Sequence, residues 1–379
     1  MGAKNGRHLD PVAPKAEPEP ETIGSSASIC AAPDTNSSSD FSCESFEKPL
    51  YSDIHFGEGR FNMINVIGRG GYGIVVLAED VKTKKRYALK IGKPGSASRR
   101  ELAAFKLVNG TKGVPVLIKE WRELGCVIMQ MQLVGMSLSE FVKQKGRKLT
   151  LDEGFKLAPM LIDLVEAVHS KGIIHADVKP TNFAFGIGSK SSKLYILDFG
   201  LSVTYLTSSG KHMEETYREA NGTPYYMSAN QHMSLWNSRR DDLESVVFTL
   251  MELCGIDRRW KHMPYPNYHA DHMVYWNAKL GGTDGGTICQ VLQFNNMLQM
   301  CRTLKYKDKP DYEGMKRLFK MKFSKASRND IKPVSSAAVV KHSLNIWDKN
   351  VIMRFHKDRT EEDKEMYRGK KNKEESDTD

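Results

Sequence analysis

Four polar side chains with complementary chemistry stand at short, fixed offsets near the middle of the chain. Asp177, Lys179 and Asn182 lie in IIHADVKPTNFAFG, and Asp198 begins DFG after the apolar residues YIL. Asp177 could accept the proton of an attacking hydroxyl, and Lys179 could neutralise charge on a transferring phosphate. Asn182 and Asp198 carry the hard oxygen atoms that Mg²⁺ prefers. Each residue alone could be an ordinary polar loop residue, but the ordered set predicts phosphoryl transfer from a magnesium–nucleotide complex.

A glycine cluster precedes these residues in the chain. Gly68, Gly70 and Gly73 stand in GRGGYG, where the backbone can turn tightly and approach phosphate oxygens. The pattern alone also fits a dinucleotide-binding fold or a plain glycine-rich hairpin, and a dinucleotide fold requires a helix after the glycines. The β-type sequence GIVVLAED follows instead. This order favours a strand–loop–strand flap that covers phosphates.

Lys90 lies in the apolar sequence YALKI, where an unpaired ammonium group is costly. Its place one strand after the glycines favours a ligand of the α- and β-phosphates, with Glu101 on the following helix as its partner. The alternatives are an edge-strand lysine that points to water and one more surface glutamate.

The periodicity of the chain predicts a scaffold of α+β type for these residues. A first part should hold one helix at 98–108 and strands at 61–66, 74–79, 86–91, 116–121 and 126–133. From residue 137 the pattern becomes helical, with a Thr150–Glu153 capping box before the longest helix and an amphipathic helix that ends before Gly255. Helices are expected at 137–146, within 149–172, and at 238–254, 286–304 and 313–323. We predict a bilobal α+β fold with a small β-rich lobe at 55–134 and a larger helical lobe at 135–345.

The composition bounds the partners of this domain. Residues 1–54 are rich in Pro, Ser, Glu and Ala and are predicted to be disordered, and 346–379 reads as a charged tail. The formal net charge of +10 fits either a solvated surface or attraction to acidic partners. A nucleic-acid recognition motif is not evident, so nucleic-acid binding is unsupported, and a monomer is expected.

The six cysteines form no CxxC and no zinc-ligand spacing, which predicts a protein of a reducing compartment, in the cytoplasm or nucleus. The first residues, MGAKNGRHLD, contain no apolar run, and no apolar stretch approaches the roughly 20 residues of a membrane span. Neither a secretory signal nor a transmembrane segment is therefore expected.

Three further stretches carry a resemblance to a known family. GTPYYMSAN at 222–230 looks like the replacement of the APE motif by Ser-x-Asn in the casein kinase I group, and SRRDDLES at 238–245 looks like that group's signature at the helix anchoring the catalytic loop. MCRTLKYKDKPDY at 300–312 resembles its C-terminal Arg and KPDY segment. Over about residues 55–325 the chain therefore resembles the eukaryotic protein kinases, and among them the casein kinase I superfamily. KPTNFAFG with its insert before LDFGL is similar to the tau-tubulin kinase branch, and GRGGYG to the vaccinia-related kinases.

The resemblance implies a serine/threonine kinase that uses ATP and Mg²⁺ to phosphorylate protein hydroxyls, those of acidic substrates included. Lys179, two residues after Asp177, is the residue that Ser/Thr kinases have at this point of the loop. Asn182 and Asp198 are the implied metal ligands. The implied nucleotide-binding residues are Ile67, Gly68, Gly70, Gly73, Val75, Ala88, Lys90, Glu101, Met131, Gln132, Val134, Ala184 and Leu197.

Within that set, Met131 matches the gatekeeper, and backbone groups of Gln132 and Val134 match the hinge that bonds adenine. An ordinary apolar strand is equally compatible with these residues alone. Asp242 matches a buried acid that ties the anchoring helix to the backbone of the catalytic loop. Thr223 matches the residue that contacts the catalytic aspartate.

The chain also departs from the usual kinase pattern. Ala176 replaces the arginine that pairs with a phosphorylated activation loop, so activity without loop phosphorylation is predicted. Asn230 replaces a glutamate, so Arg302 is expected to lack its usual ionic partner. Tyr225 replaces a basic residue of casein kinase I enzymes, which leaves a preference for phosphate-primed substrates unsupported.

The residues CGIDRRWKHMPYPNYHADH at 254–272 replace another family segment, and packing or substrate contacts are expected of them rather than metal binding. The alternative function is a pseudokinase scaffold that binds partners or nucleotide without phosphotransfer. It predicts the loss of Lys90, Asp177 or Asp198, and the chain retains all three.

Overall fold

The computed structural model describes residues 55–71, 73–216, 220–266, 269–281 and 288–320. The predicted tails at 1–54 and 346–379, and residues 321–345 of the predicted helical lobe, lie outside the described residues.

The first part of the described chain is an antiparallel sheet with one helix, α1 (Ser96–Val108). Its strands are β1 (His55–Phe56), β2 (Phe61–Gly70), β3 (Gly73–Asp80), β4 (Arg86–Gly92), β5 (Leu117–Glu123) and β6 (Cys126–Met131). They lie in the order β1-β2-β3-β4-β6-β5. The five predicted strands and the helix are confirmed, and β1 is an additional strand of two residues, too short to show a period.

Two apolar layers hold this sheet in place. On one face the buried side chains of Phe61, Val76, Leu89 and Ile128 form a small core of their own. Phe105 of α1 belongs instead to the large core that continues into the helical part. Buried side chains of β5 and β6 belong to this large core as well, so the sheet and α1 both pack onto the helices.

The remainder of the described chain is mainly helical. Its helices are α2 (Leu138–Gln144), α3 (Leu151–His169), α4 (Ala229–His232), α5 (Arg239–Leu253), α6 (His269–Lys279), α7 (Leu292–Thr303) and α8 (Tyr312–Lys320). Short strands between α3 and α4 form two pairs, of which β7 (Ile173–Ile174) pairs with β10 (Val203–Thr204) and β8 (Phe183–Phe185) with β9 (Leu194–Ile196). Among the described residues, no helix is both long and apolar enough to cross a membrane.

The helix ends follow from the sequence better than the helix surfaces do. The predicted capping box is present, since Thr150 accepts from the Glu153 N–H and Glu153 accepts from the Thr150 N–H. The expectation of an amphipathic α5 is wrong, because acids such as Asp241, Asp242 and Glu244 are as buried as its apolar residues. α5 packs against both α3 and α7, so solvent does not cover its polar face. Helix α6 lies where the sequence predicted no element.

Candidate active site

The loop after β7 carries Asp177, Lys179 and Asn182, and their polar groups contact one another. Lys179 Nζ lies 2.6 Å from Asp177 Oδ2. Asn182 ends the 3₁₀ turn Pro180–Asn182, and its amide donates to the Asp177 carbonyl over 2.8 Å. A carboxylate, an ammonium group and an amide are thus held together by local structure.

Thr223 completes this cluster from a distant part of the chain. Its hydroxyl donates to Asp177 Oδ1 over 2.8 Å, and its backbone N–H donates to the same oxygen over 3.1 Å. Lys179 Nζ donates to Thr223 Oγ1 over 2.8 Å. Each oxygen of the Asp177 carboxylate is therefore fixed by a different partner, and the contact implied for Thr223 is present.

The backbone of this loop is anchored by the buried carboxylate of Asp242 on α5. Asp242 accepts hydrogen bonds from the backbone N–H groups of His175, over 2.7 Å, and Ala176, over 2.8 Å. His169 Nε2 lies 2.9 Å from the same carboxylate. Ala176 has a φ of 66°, in the left-handed region that costs a residue with a side chain some energy. The two N–H bonds hold the backbone in this conformation directly before Asp177.

A second charged cluster joins the sheet to the DFG stretch. Lys90 on β4 forms a salt bridge with Glu101 on α1, as expected, and its Nζ lies 2.9 Å from Asp198 Oδ1. Desolvation lowers the pKa of Lys90, but Asp198 and Glu101 outweigh it and raise that pKa above its ordinary value. Desolvation raises the pKa of Asp198, but the charge and hydrogen bond of Lys90, together with the Gly200 N–H, outweigh it and lower that pKa to about 2. Lys90 and Asp198 are thus both charged at neutral pH.

The two clusters are joined through the backbone around Leu197. Its N–H donates to the Asn182 carbonyl over 2.8 Å, and its carbonyl lies 2.9 Å from His175 Nε2. Phe199, fully buried, packs against Phe105 of α1 and against the His175 ring, with centroids 5.4 and 5.3 Å apart. Movement of α1 or of the DFG stretch would therefore disturb both clusters together.

The predicted glycine flap is the hairpin between β2 and β3. Gly68 pairs with Val75 and Gly70 with Gly73, so the strand–loop–strand order is confirmed. Gly73 has a φ of 154°, and a Cβ there would lie 2.2 Å from the Ile91 carbonyl oxygen, so only glycine fits. At Gly70 a Cβ would meet nothing within 4 Å, so the space beside this glycine is open among the described residues.

The remaining predicted nucleotide residues lie on neighbouring segments. Ala88 of β4 pairs with Met131 at the end of β6, and Gln132 and Val134 follow directly. The Gly135 N–H donates to the Phe185 carbonyl over 2.7 Å, and this bond places the segment after β6 beside β8. Ile67 stands on β2 with 46% of its surface exposed. The fold thus brings β4, the end of β6, the segment that follows β6, and β8 together.

A comparison with models of protein families matches residues 61–259 of this chain to the protein kinase domain, more than half of its 379 residues. The chain belongs to the protein kinase family. Enzymes of this family transfer the terminal phosphoryl group of ATP to protein substrates with the help of Mg²⁺. The matched residues form a protein kinase domain, and the sheet and helices of the described chain agree with its α+β fold.

The residues of this kinase domain fit a magnesium–nucleotide complex by their chemistry. Asn182 and Asp198 offer the hard oxygen atoms that Mg²⁺ takes, and the Lys90 ammonium group stands beside Asp198. The hairpin glycines Gly68, Gly70 and Gly73 carry no side chains of their own, so a phosphate can approach their backbone closely.

Arg302 lacks the partner that a glutamate at position 230 would supply, as expected, but it has a different one. Asn230 does not pair with it, since its amide donates to Asp241 Oδ1 over 2.9 Å. Arg302 nevertheless has an ionic partner, because its Nη2 lies 2.7 Å from Glu244 Oε1. Glu244 looked like any other polar residue of SRRDDLES, and only the packing of α5 against α7 reveals it.

The segment at 254–272 supplies packing for the loop that holds Thr223. Trp260 is 0% exposed, and its indole N–H donates to the Tyr225 carbonyl over 2.9 Å. The packing role expected of this segment is confirmed for Trp260. Lys279 of α6 is another buried polar group that reaches this loop. The sequence analysis missed it, because nothing local distinguishes it from a surface lysine.

Proposed function

We propose that this kinase is an active serine/threonine enzyme of the casein kinase I type. The observation that carries the proposal is the paired state of both charged clusters. Asp177 is held by Lys179 and Thr223, and Lys90 stands between Glu101 and Asp198. A scaffold that only binds partners would have no need to keep all of these groups oriented.

Each residue has a role that its contacts support. ATP with magnesium, when bound, supplies the phosphoryl group and neutralises part of its charge. Asp177 orients the substrate hydroxyl and takes its proton, and Lys179 stabilises negative charge near the transferred group. Lys90, fixed by Glu101, would hold the α- and β-phosphates. Asn182 and Asp198 would hold the metal.

The hydrophobic residues named from the resemblance would form the adenine site. Met131 is the proposed gatekeeper, and backbone groups of Gln132 and Val134 would bond the base. The flap glycines Gly68, Gly70 and Gly73, together with Ile67, Val75, Ala88, Ala184 and Leu197, would enclose the nucleotide. We further propose that 55–134 and 135–345 are two lobes that meet at this site.

The decisive experiment measures the transfer of labelled phosphate from ATP to casein or to the kinase itself, with and without Mg²⁺. We expect Asp198→Ala to lower incorporation by about a hundredfold or more, since a metal ligand contributes several kcal/mol of transition-state stabilisation. Asp163→Ala is the matched control, because Asp163 is an exposed aspartate on α3. Wild-type incorporation no greater than that of Asp198→Ala would contradict an enzyme.

Two further readouts separate the finer proposals. Nucleotide binding without incorporation would favour the pseudokinase scaffold. Analysis of the phosphorylated residues tests the choice of Ser and Thr over Tyr, which we infer from Lys179, two residues after Asp177.

We also propose that activity does not require phosphorylation of the activation loop. Ala176 cannot pair with a phosphate, and the described part of the loop before residue 217 already contacts other protein groups. β10 pairs with β7, Glu214 contacts Lys307 over 2.5 Å, and Glu215 lies 3.5 Å from Arg240. Phosphatase-treated kinase should therefore keep its activity. Loss of activity that returned on rephosphorylation of the loop would refute this proposal.

A further inference from the structure

One buried lysine, on a helix that the sequence did not predict, contacts the loop that carries Thr223. Lys279 is the last residue of α6 and is 0% exposed. Its Nζ donates to the carbonyl oxygens of Pro224, over 2.7 Å, and Met227, over 2.5 Å. Pro224 directly follows Thr223, so Lys279 binds both ends of the turn that begins there.

The surroundings of Lys279 show that it serves as a donor and not as a partner for a carboxylate. Its Nζ lies 2.9 Å from His232 Nε2 and 5.1 to 5.7 Å from the ring centroids of Phe248, Trp260 and Tyr275. Rings at this distance attract a cation, yet a buried ammonium group is still costly. An apolar side chain would avoid that cost, but it would leave the Met227 carbonyl without this donor and the Pro224 carbonyl with only His232 Nε2, 3.2 Å away.

The two carbonyl contacts do not depend on the charge of Lys279. Desolvation lowers its pKa well below the ordinary value. A protonated amine has three N–H donors, which suit the two carbonyls and His232. A neutral amine keeps two donors for the carbonyls of Pro224 and Met227.

The turn itself transmits the position of these carbonyls to Thr223. The N–H groups of Tyr226 and Met227 both donate to the Thr223 carbonyl, over 2.8 and 3.1 Å. Trp260 takes the carbonyl of Tyr225, between the two that Lys279 holds. Trp260 and Lys279 together thus bind the carbonyls of three of the four residues that follow Thr223.

The backbone of Lys279 is itself held by a hydrogen bond from α7. Its own carbonyl accepts a hydrogen bond from Arg302 over 2.9 Å, and Arg302 is paired with Glu244 on α5. The end of α6, from which the Lys279 side chain reaches the turn, is therefore bonded to α5 through Arg302.

We propose that Lys279 is a positioning residue for phosphoryl transfer: it fixes the turn at 223–227 and so sets the Thr223 hydroxyl against Asp177 and Lys179. The inference rests on the proposed kinase activity and extends it to a residue remote from the reacting atoms.

The test compares steady-state kinetics of the full chain with ATP and casein for Lys279→Met, Thr223→Ala and the double variant. Lys279→Met should lower kcat by about tenfold or more, since small displacements of reacting groups cost this much, and leave the KM for ATP within about twofold. Because the effect acts through Thr223, the double variant should be no slower than Thr223→Ala. Lys316→Met is the matched control, since Lys316 is also buried but pairs with Asp163 on α3. It should leave kcat within about twofold of wild type.

Trp260→Phe tests the same turn if Lys279→Met does not fold. It keeps an aromatic ring and removes only the N–H that binds the Tyr225 carbonyl, and its loss of kcat should also vanish in the Thr223→Ala background. A wild-type kcat for Lys279→Met, or for Trp260→Phe where only that variant folds, overturns the inference and leaves the proposed activity intact. The inference also fails if the two substitutions lower kcat independently, so that their fold-losses multiply in the double variant. Wild-type protein that incorporates no more phosphate than Asp198→Ala would overturn both this inference and the proposed kinase activity.

Discussion

Replacement of Asp242 by asparagine should show how much the anchor of the catalytic loop contributes to stability. In the wild type, Oδ2 takes the His175 N–H and lies beside His169 Nε2, and Oδ1 takes the Ala176 N–H. An asparagine presents one oxygen and one NH₂ group. Whichever way its amide is turned, at least one of the two backbone N–H groups faces a donor and is left unpaired.

The magnitude of the Asp242→Asn effect follows from these contacts. A buried unpaired donor costs about 1–3 kcal/mol, and the remaining bonds lose the roughly 1 kcal/mol that a charged acceptor adds. We expect the free energy of unfolding to fall by about 3 kcal/mol, a large part of the 5–15 kcal/mol typical of a domain. Because the lost bond holds the backbone before Asp177, kcat should also fall at temperatures where the variant is folded.

Urea-induced unfolding, followed by tryptophan fluorescence, measures this change. Asp163→Asn is the control, since the Asp163 side chain is 60% exposed and its partner Lys316 keeps Glu166 and Glu313, so the effect should stay within about 0.5 kcal/mol. A loss of less than about 1 kcal/mol for Asp242→Asn, or a loss equal to that of Asp163→Asn, would refute the argument from unpaired donors.

Two further predictions concern stability in the helical part. Desolvation, together with the charge of Lys279, lowers the pKa of His232 well below 6.5, so the unfolded chain takes up a proton that the folded chain refuses. The melting temperature should therefore fall as the pH drops from 6.5 to 5, and it should fall less steeply in His232→Gln; an unchanged slope would contradict the cause. Thr150→Ala removes the cap of α3 and should cost about 1 kcal/mol in urea unfolding, whereas Thr150→Ser should cost little because its hydroxyl can still accept from Glu153. Equal losses for both variants would show that the cap does not act through this hydrogen bond.

Much of the fold could be predicted from the sequence because its signals are local. The flap glycines, the strand of Lys90 and the capping box at Thr150 each depend on residues a few positions apart. Helix α5 was predicted in the right place, yet its amphipathic character was not observed. Period alone cannot tell which polar residues face water when a helix is packed on several sides.

The sequence alone predicted this group of polar side chains, since Asp177, Lys179 and Asn182 share one short loop, in which Lys179 and Asn182 both contact Asp177. Only the tertiary structure decided how these groups are held. Thr223 reaches Asp177 across 46 positions of the chain, and Lys279 reaches Pro224 across 55. Contacts of this kind arise when helices pack and water is removed, and a residue's neighbours in sequence carry no record of them.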